Sequence, residues 1–370
     1  MRVKLEDVCE RGTSNLRQSD VEGKTGAYPI YGAAGYIGQV DFYHQEKPYV
    51  AVVKDGAGIG RTTLLPAKSS IIGTMQYLLP KDNVLPQYLY YAVQYMHIEK
   101  YYTGATIPHI YYRDYKNEVF NLASIEQQRL IISTLSRVEG IISQRQRQLQ
   151  LLDDLVKSRF IEMFGEPETN PFEWESCEIK DVMSAPASNG FFAKSNDYKP
   201  DGNVGIICVG DVVNRKYSNL GNLRRANADE KQLAKFKVKF GDILFCRSSL
   251  VKEGIAKASV IPEECGNNIV FECHVIRVPL NIKRVFPEFM QALSITDFFR
   301  GQMMEKSKTA TMTTIGQKDV ITGRIYVPPI ELQKEFVLFS KQIDKSKLII
   351  QQALDKAQML YDSLMQKYFG

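Results

Sequence analysis

The sequence lacks the features that mark exported, membrane-bound and disulfide-stabilised proteins. Its 370 residues include six cysteines, none of them in a C-x-x-C pair, and no apolar stretch approaches the ~18 residues of a membrane span. Met1 is not followed by the basic region and apolar core that direct export. We therefore expect a chain of the reducing cytoplasm that has neither a disulfide framework nor a membrane helix.

Metal-binding and catalytic motifs are missing as well. Cys265, Cys273 and His274 lack a fourth ligand and the paired spacing of a zinc site, so they predict buried thiols rather than a metal site. The other three histidines have no serine or cysteine motif beside them, and the chain contains no G-x-x-x-x-G-K-[ST] loop. The sequence therefore predicts no catalytic residue and no bound metal.

Two short segments resemble cofactor motifs but are better explained in other ways. Gly56-Ala57-Gly58-Ile59-Gly60 follows a predicted strand, yet a phosphate loop must open a helix and residues 61–66 look like a second strand. Asn170-Pro171-Phe172 resembles part of the Asn-Pro-Pro-Tyr/Phe motif of amino methyltransferases, without its second proline and without a preceding S-adenosylmethionine motif. We interpret the first as a loop and the second as a linker, and expect no cofactor on this chain.

What the chain does have is enough apolar sequence for two or three domains, because single cores stop growing near ~250–300 residues. Its net charge is only +5, but this charge is unevenly spread. The segment from Asn214 to Lys257 holds eleven Lys and Arg against four Asp and Glu. Such a local excess is typical of a surface that meets a polyanion.

The most informative feature is an internal repeat without gaps. A shift of 205 residues places Ala105-Thr106 on Ala310-Thr311, residues 125–128 on 330–333, and Phe164-Gly165 on Phe369-Gly370. Two copies are too few for a solenoid. They indicate a molecule of two similar halves, which suits a partner that also has two parts.

Most of each copy predicts one long helix, at 125–164 and at 330–369. The first contains no proline and a single glycine, and its apolar residues follow a 4-3 spacing. A helix of about 38 residues is a rod on the order of 57 Å long that cannot bury its own apolar stripe, so we expect the two helices to pack on each other, antiparallel, as a coiled coil. The residues predicted to form this packing are Ile131, Leu135, Val138, Ile142, Leu149, Leu152 and Val156 in the first helix and Ile343, Ile350, Leu354, Tyr361 and Leu364 in the second.

A mixed segment rich in strands and turns precedes each helix, which predicts an α+β fold. The segments share landmarks: 85–89 (LPQYL) resembles 286–290 (FPEFM), whereas their interiors do not match. We expect two mainly-strand domains in a pseudo-twofold arrangement, at 1–122 and 166–328, with the long helices at 123–165 and 329–370. A scaffold that is duplicated while its interior changes predicts two sites of different specificity.

This layout, with the run Pro328-Pro329-Ile330-Glu331-Leu332-Gln333 before the last helix, resembles the specificity subunits of type I restriction–modification systems over essentially the whole chain. Residues 28–32 (YPIYG) and 35–38 (GYIG) resemble one subtype of target-recognition domain, and 241–244 (GDIL) with 254–256 (GIA) resembles another. The first copy departs from the pattern, with Ala123-Ser124 in place of the two prolines, which predicts a looser start of that helix.

The resemblance implies that each domain reads one half of a bipartite double-stranded DNA sequence. It also implies that the paired helices act as a ruler and bind two methyltransferase (modification) subunits, to which restriction subunits with translocase and nuclease activity attach. S-adenosylmethionine is then expected on the methyltransferase and not on this chain. Lys and Arg supply most of the affinity for phosphates, so the DNA-binding candidates are Tyr31, Tyr36, Lys54, Arg61, Lys68, Lys194, Arg215, Arg224, Arg225, Arg247 and Lys252.

Other interpretations stay open at this stage. The chain could be a methyltransferase or nuclease with its own active site, or a coiled-coil adaptor that binds only proteins. Each charged candidate could be a solvated surface side chain. The tyrosines between Tyr88 and Tyr115 could stack on bases, although Tyr88, Tyr91 and Tyr95 follow Pro86 at helical spacing and predict the packed face of a short helix.

Overall fold

The computed structural model describes residues 1–104, 108–194 and 197–370, and it divides into two compact units. Unit 1 comprises Met1–Leu149 and Ile349–Gly370, and unit 2 comprises Gln150–Leu348. Ala105 and Thr106 of the repeat lie outside the described residues. The units share the long helices between them, so the predicted domain limits at 122, 165 and 328 stay a prediction.

Unit 1 is built from short strands and helices followed by the first part of a long helix. In chain order they are β1 (Arg2–Lys4), α1 (Leu5–Val8), β2 (Cys9–Thr13), α2 (Gln18–Val21), β3 (Tyr28–Gly32), β4 (Gly35–Val40), β5 (Tyr49–Val53), β6 (Thr62–Leu65), β7 (Ser70–Ile71), β8 (Met75–Pro80), α3 (Pro86–Tyr95), a 3₁₀ helix (Ile98–Tyr101), α4 (Tyr112–Tyr115), β9 (Val119–Asn121) and the long helix α5 (Ile125–Phe164).

Unit 2 has a similar inventory. Its elements are β10 (Glu175–Glu178), a 3₁₀ helix (Ile179–Val182), β11 (Ser188–Asn189), β12 (Val204–Ile207), α6 (Val209–Val212), β13 (Arg224–Ala226), α7 (Glu230–Phe236), β14 (Asp242–Cys246), β15 (Ser248–Ser249), a 3₁₀ helix (Lys252–Gly254), β16 (Ala258–Val260), β17 (Ile269–Phe271), β18 (Val275–Pro279), α8 (Pro287–Ser294), α9 (Asp297–Lys306), β19 (Lys308–Thr309), β20 (Thr313–Thr314), α10 (Gln317–Ile321), β21 (Arg324–Val327) and the long helix α11 (Ile330–Phe369).

The central sheets of the two units have the same topology. Unit 1 has the order β2-β8-β5-β6 and unit 2 the order β11-β18-β14-β16, with every neighbouring pair antiparallel. Each unit also pairs its first and last strands, β1 with β9 and β10 with β21. The predicted α+β fold with two long helices is therefore confirmed, and the shared scaffold extends into segments whose sequences do not match.

Both faces of the unit 1 sheet are buried, as the alternation of side chains along a strand requires. Val50 and Val52 of β5 point into a core that includes Tyr88 and Leu89 of α3, whereas Ala51 points into a second, smaller core. Tyr88 and Tyr91 are fully buried, which confirms that this tyrosine row is mainly a packed helix face. A strand with no exposed side chain can present function only at its ends.

The long helices run antiparallel within each unit. In unit 1 the Tyr361 hydroxyl donates to Glu139 (3.1 Å), and in unit 2 Lys347 pairs with Asp153 (2.5 Å) and Arg159 with Glu335 (3.1 Å). None of the twelve predicted packing residues is exposed. Five of them contact a core: Ile131, Leu135, Tyr361 and Leu364 in unit 1, and Val156 in unit 2. For all twelve, the helix-packing role stays a prediction.

The Phe-Gly dipeptide that closes each copy of the repeat packs into a domain. In unit 1, Phe369 lies against Tyr88, with ring centroids 4.9 Å apart, and in unit 2 Phe164 lies against Phe289, at 4.8 Å. Gly165 has a φ of +78° and its N–H donates to the carbonyl of Ile161 at 2.8 Å. This left-handed helix end is the reason for a glycine at that position.

A buried glutamine at the start of each long helix fastens the helix to its domain. The Gln128 amide accepts from the N–H of Leu85 (2.8 Å) and donates to the carbonyls of Asn83 and Ala123 (3.0 Å each). Gln333 makes the equivalent three bonds, with the N–H of Phe286 (2.9 Å) and the carbonyls of Arg284 (3.0 Å) and Pro328 (2.8 Å). This is why the repeat retains Gln at this position.

The first helix has its own cap where the second copy has prolines. The Ser124 hydroxyl accepts from the N–H of Gln127, and the Gln127 side chain accepts from the N–H of Ser124, both at 3.3 Å. Such a reciprocal pair satisfies two N–H groups that the helix itself cannot bond. Hydrogen bonds at this end take the place of the prolines, and the looser start at Ala123-Ser124 stays a prediction.

Candidate nucleic-acid interface

A cationic side chain follows the central strand of each unit at the same position of the scaffold. Lys54 follows β5 and Arg247 follows β14. The N–H of Lys54 donates to the carbonyl of Thr74 (3.0 Å), and its carbonyl accepts from Ile110 (3.0 Å). The N–H of Arg247 donates to the carbonyl of His274 (2.9 Å), and the carbonyl of Arg247 accepts from the N–H of Ile315 (3.0 Å).

Ile110 and Ile315 are themselves partners in the repeat, so the two backbone arrangements are equivalent bond for bond. We call Lys54 and Arg247 the strand-end cations. Both are candidates from the sequence, chosen there as isolated residues. The structure adds that they occupy one position of a duplicated scaffold, although no local sequence match connects them.

The repeat also places a β-bridge beside each strand-end cation. In unit 1, His109 bridges to both Thr103 and Asp55. In unit 2, Thr314 pairs with both Lys308 and Ser248, which builds the three-stranded sheet β15-β20-β19. The shift of 205 residues relates 103 to 308 and 109 to 314. We call residues 308–314 the repeat hairpin of unit 2.

A histidine contacts the residue after each strand-end cation. In unit 1 the Asp55 carboxylate lies against Nδ1 of His109. In unit 2 Nδ1 of His274 lies 3.1 Å from the Ser248 hydroxyl. Burial, and then the charge of Lys54, lower the pKa of His109. The two histidines come from different positions of the scaffold, because His109 corresponds to Thr314 in the repeat and His274 takes the place of Thr74 as acceptor of the cation's N–H.

The surface around Lys54 is basic and aromatic. Burial and the nearby Arg11 lower the pKa of the Lys54 ammonium. Tyr111 is 43% exposed, its ring lies 4.2 Å from that of His109, and Arg113 lies over it at 4.8 Å. Cations with an exposed aromatic ring favour a nucleic-acid contact. Sequence reasoning missed Arg11 and Arg113, and it included Tyr111 only among the tyrosines that could stack on bases.

The surface around Arg247 has similar chemistry with different side chains. One guanidinium nitrogen of Arg247 donates to the carbonyl of Cys273 at 3.1 Å, which orients the group. Leu250 and Val251 are 84% and 61% exposed in the loop that follows, next to the exposed Lys252. Exposed apolar side chains beside cations can contact thymine methyl groups or the faces of bases. Leu250 and Val251 carry no sequence signal that sets them apart.

The remaining candidates of unit 1 lie on other loops, and among them the carbonyl of Arg61 accepts from the N–H of Val53 (2.9 Å), next to Lys54. The rings of Tyr31 and Tyr36 form an edge-on pair with centroids 6.1 Å apart in the β3–β4 hairpin, and Tyr36 is 61% exposed. The Arg61 guanidinium donates to the carbonyl of Ala33 (3.1 Å), which ties this hairpin to the β5–β6 loop. Lys68 is exposed and lies 4.0 Å from Glu46.

The remaining candidates of unit 2 fall into two groups. Arg224 lies 3.5 Å above the Tyr198 ring, and Arg225 donates to the carbonyl of Gly202 (2.8 Å), both on the sheet that contains β13. Lys194 is exposed in a segment that leads to that sheet. Arg215 lines a groove against the long helices instead. The structure thus separates the candidates into several surfaces, and their contact with DNA stays a prediction.

Each unit has a groove between its domain and the long helices, of about 1030 Å³ in unit 1 and 550 Å³ in unit 2. The repeat relates positions that line both grooves, but the charges differ: Asp362 in unit 1 corresponds to Lys157 in unit 2, and Ile142 to Lys347. The unit 2 groove is rich in cations, namely Lys157, Arg215, Lys216, Lys257, Arg300 and Lys347. Two identical partners could not make identical contacts with these grooves.

Known proteins share both the sequence pattern and the fold. Residues 1–152 match the family described as the type I restriction modification DNA specificity domain. The chain is 20% identical over 313 residues to the type I restriction enzyme MjaVIII specificity subunit of Methanocaldococcus jannaschii, covering 80% of this chain and 72% of that protein. It is 24% identical over 247 residues to the EcoKI specificity subunit of Escherichia coli, covering 64% of this chain and 51% of that one.

Solved structures agree at the level of the fold. The S subunit of a type I restriction–modification system from M. genitalium superimposes with a TM-score of 0.60 at 14% identity, covering 100% of this chain and 96% of that chain. A chain from a structure of complex assembly and conformational transition in a type I system gives 0.54 at 14% identity, covering 100% and 97%.

The two-unit α+β fold with paired long helices is therefore that of type I specificity subunits, and the resemblance predicted from the sequence is confirmed. Within residues 1–104, 108–194 and 197–370, no helix is long and apolar enough to cross a membrane. The same described residues hold no group of three or more side chains arranged to bind a metal.

Proposed function

We propose that this chain is the non-catalytic DNA-recognition subunit of a type I restriction–modification complex, and that each unit reads one half of a bipartite target. The observation that carries the proposal is the pair of strand-end cations. One backbone arrangement occurs in both units, yet the exposed side chains around it differ. A scaffold that is duplicated in its backbone and changed on its surface suits two different half-sites.

The long helices support this function as a spacer. Two readers on one face of a duplex must be separated by about one helical turn, ~34–36 Å, or by a multiple of it. Each helix has 40 residues, and at ~1.5 Å per residue it extends about 60 Å. The hydrogen bonds of Gln128 and Gln333 hold each helix start rigidly on its domain, and a ruler requires such rigidity.

The same helices carry a surface that suits two copies of one partner. Leu155 on α5 and Leu360 on α11 correspond in the repeat and are both exposed, at 45% and 51%. Identical subunits need identical contacts, and these leucines provide them where the oppositely charged grooves do not. We assign them to the docking of two methyltransferase subunits, which bring the S-adenosylmethionine site and to which restriction subunits attach.

Methylome sequencing tests the proposal. A strain that expresses the chain with its methyltransferase is expected to carry methylated adenines in one motif split by a spacer. Replacement of unit 2 side chains such as Arg224 should change one half of that motif and leave the other half intact. A continuous motif, or methylation by the chain alone, would contradict the proposal. Binding of S-adenosylmethionine to the isolated chain would favour an enzyme instead, and a lack of DNA affinity would favour a protein adaptor.

A further inference from the structure

We propose that the strand-end cation, the repeat-hairpin region beside it and the next basic residue of the repeat form a clamp on the DNA backbone, once in each unit and independent of sequence. In unit 2 these elements are Arg247, the hairpin 308–314 and Lys318. In unit 1 they are Lys54, the Thr103–His109 bridge and Arg113. The inference rests on the proposed function and divides its surfaces into gripping and reading parts.

The first step concerns what the two units share. Residues 308–315 belong to the repeat, whereas the segments that hold Leu250, Val251, Arg224 and Tyr36 do not. A basic residue that recurs at one scaffold position in both units, as at Lys54 and Arg247 or at Arg113 and Lys318, is not suited to distinguish two different half-sites. If it contacts DNA, it contacts what all DNA has in common, which is the phosphate and sugar backbone.

The second step concerns exposure. Packing does not account for the tip of the hairpin, because Lys308, Thr309, Ala310 and Thr311 are all exposed. Buried partners hold the hairpin at its base: Thr313 is 2% exposed, and its hydroxyl lies 3.0 Å from that of Thr309. Lysine ammonium groups, threonine hydroxyls and free backbone N–H groups are the usual ligands of DNA phosphates. The hairpin therefore presents phosphate ligands from a fixed base.

The third step concerns charge. Each unit has an exposed basic residue at the repeat position that follows the hairpin. These residues are Arg113 on α4 and Lys318 on α10. Among the described residues neither strand-end cation forms an ion pair, whereas Arg113 lies 3.5 Å from Asp114. The pKa of Lys54 is lowered by burial and by Arg11, and two neighbouring cations are stabilised by an anion that contacts both. A phosphate group meets that requirement.

The experiment separates gripping from reading in unit 2. The variants are Arg247→Ala, Lys308→Ala and Lys318→Ala, with Lys283→Ala as the control. Lys283 is exposed and follows the end of β18 that pairs with the start of β14, so it lies at the opposite end of the sheet from Arg247. All four changes remove one positive charge. Arg247→Lys retains the charge and distinguishes its loss from a loss of structure.

Binding of the full chain to a random-sequence duplex is measured between about 50 and 200 mM salt. Each clamp variant is expected to reduce the affinity by roughly 3- to 10-fold and the slope of log K against log salt by about 0.9, the value for one phosphate contact, while Lys283→Ala changes neither. In the methylome, the clamp variants should lower the methylated fraction of sites without changing the motif.

A changed motif in Arg247→Ala or Lys308→Ala would overturn the clamp and leave the proposed function intact, because those residues would then read bases. Random-duplex affinity equal to that of the control in all three variants would also overturn it. If the unaltered chain bound no DNA and defined no methylation motif, the proposed function itself would fail. Lys308 is exposed on the hairpin tip, so its replacement tests the clamp even if Arg247→Ala does not fold.

Discussion

The contact between α3 and the long helix α5 of unit 1 is neutral, whereas the equivalent contact between α8 and the long helix α11 of unit 2 is ionic. This difference gives a quantitative test of the duplicated scaffold. In unit 1 the Gln87 amide donates to the Ser136 hydroxyl at 2.9 Å. At the equivalent positions of unit 2, the Lys341 ammonium lies 3.1 Å from Glu288. The perturbation is the exchange of one pair for the other, as Glu288→Gln, Lys341→Ser and the double variant.

The expected magnitudes follow from burial. Glu288 is 1% exposed and accepts one further hydrogen bond, from Tyr217 at 3.2 Å. Removal of Lys341 leaves this carboxylate buried without its cation, which costs about 3–5 kcal/mol for a fully buried pair. The Lys341 side chain is 39% exposed, so we expect about 2–3 kcal/mol after allowance for solvent screening.

Glu288→Gln alone leaves a lysine that can turn to water, and we expect a loss of only about 1 kcal/mol. The double variant recreates the neutral unit 1 pair and should lie within about 1 kcal/mol of the original chain. The coupling free energy between the two positions is then about 2 kcal/mol. In a unit of this size, Lys341→Ser should lower the melting temperature by roughly 4–12 °C.

The assay is calorimetric unfolding of the full chain, with hydrogen exchange of the α8 amides as a local measure of unit 2. The α3 amides of unit 1 are the internal reference and should not change. The reciprocal exchange in unit 1, Gln87→Glu with Ser136→Lys, is the matched control, because each single change there introduces an unpaired charge. Equal destabilisation by Lys341→Ser and by the double variant would refute the reasoning, since the pair would then not be coupled.

Three further predictions concern the Gln333 hydrogen bonds, the docking surface and the thiols. Gln333→Leu leaves one N–H and two carbonyls unbonded and should destabilise unit 2 by about 3 kcal/mol. Gln351→Leu on the exposed helix surface should cost less than about 0.5 kcal/mol. Denaturant unfolding measures both losses, and equal effects would contradict the role of Gln333 in fastening the helix to its domain. Leu155→Asp and Leu360→Asp should each remove one methyltransferase from the complex, which native mass spectrometry would detect. The control is Leu348→Asp, because Leu348 is exposed but corresponds to Ser143 in the repeat. This variant should retain both methyltransferases. Burial raises the pKa of Cys9 to about 12 and that of Cys246 to about 11. These thiols should therefore react with iodoacetamide at pH 8 more slowly than Cys265. Labelling of Cys9 at the same rate as Cys265 would contradict its burial.

Local signals explain why much of the fold could be predicted. The helix limits are encoded by residues close in the chain: an apolar period, the absence of proline, and a terminating glycine at Gly165. The tyrosine row after Pro86 could be assigned to a packed face for the same reason. Ser124 shows the limit of this reasoning, because a hydrogen-bonded cap replaced the expected stabilisation by proline.

The candidate site was predictable in its residue types but not in its grouping. Lys54 and Arg247 were both candidates, yet nothing in the sequence indicated that they are equivalent. Their equivalence depends on bonds to Ile110 and Ile315, which lie 56 and 68 residues further along the chain. Arg11 was missed because only strand pairing brings β2 into the sheet that contains β5.

The sequence by itself determined the duplicated frame, the two long helices, the α+β class and the absence of recognisable catalytic motifs. These properties depend on composition, period and caps, which act over a few residues. Only the tertiary structure decided that the two central sheets match, that a cation recurs at the end of their central strands, and that one helix contact is neutral and the other ionic. Those properties depend on which distant strands pair, and register between distant strands is set by the packing of the whole core.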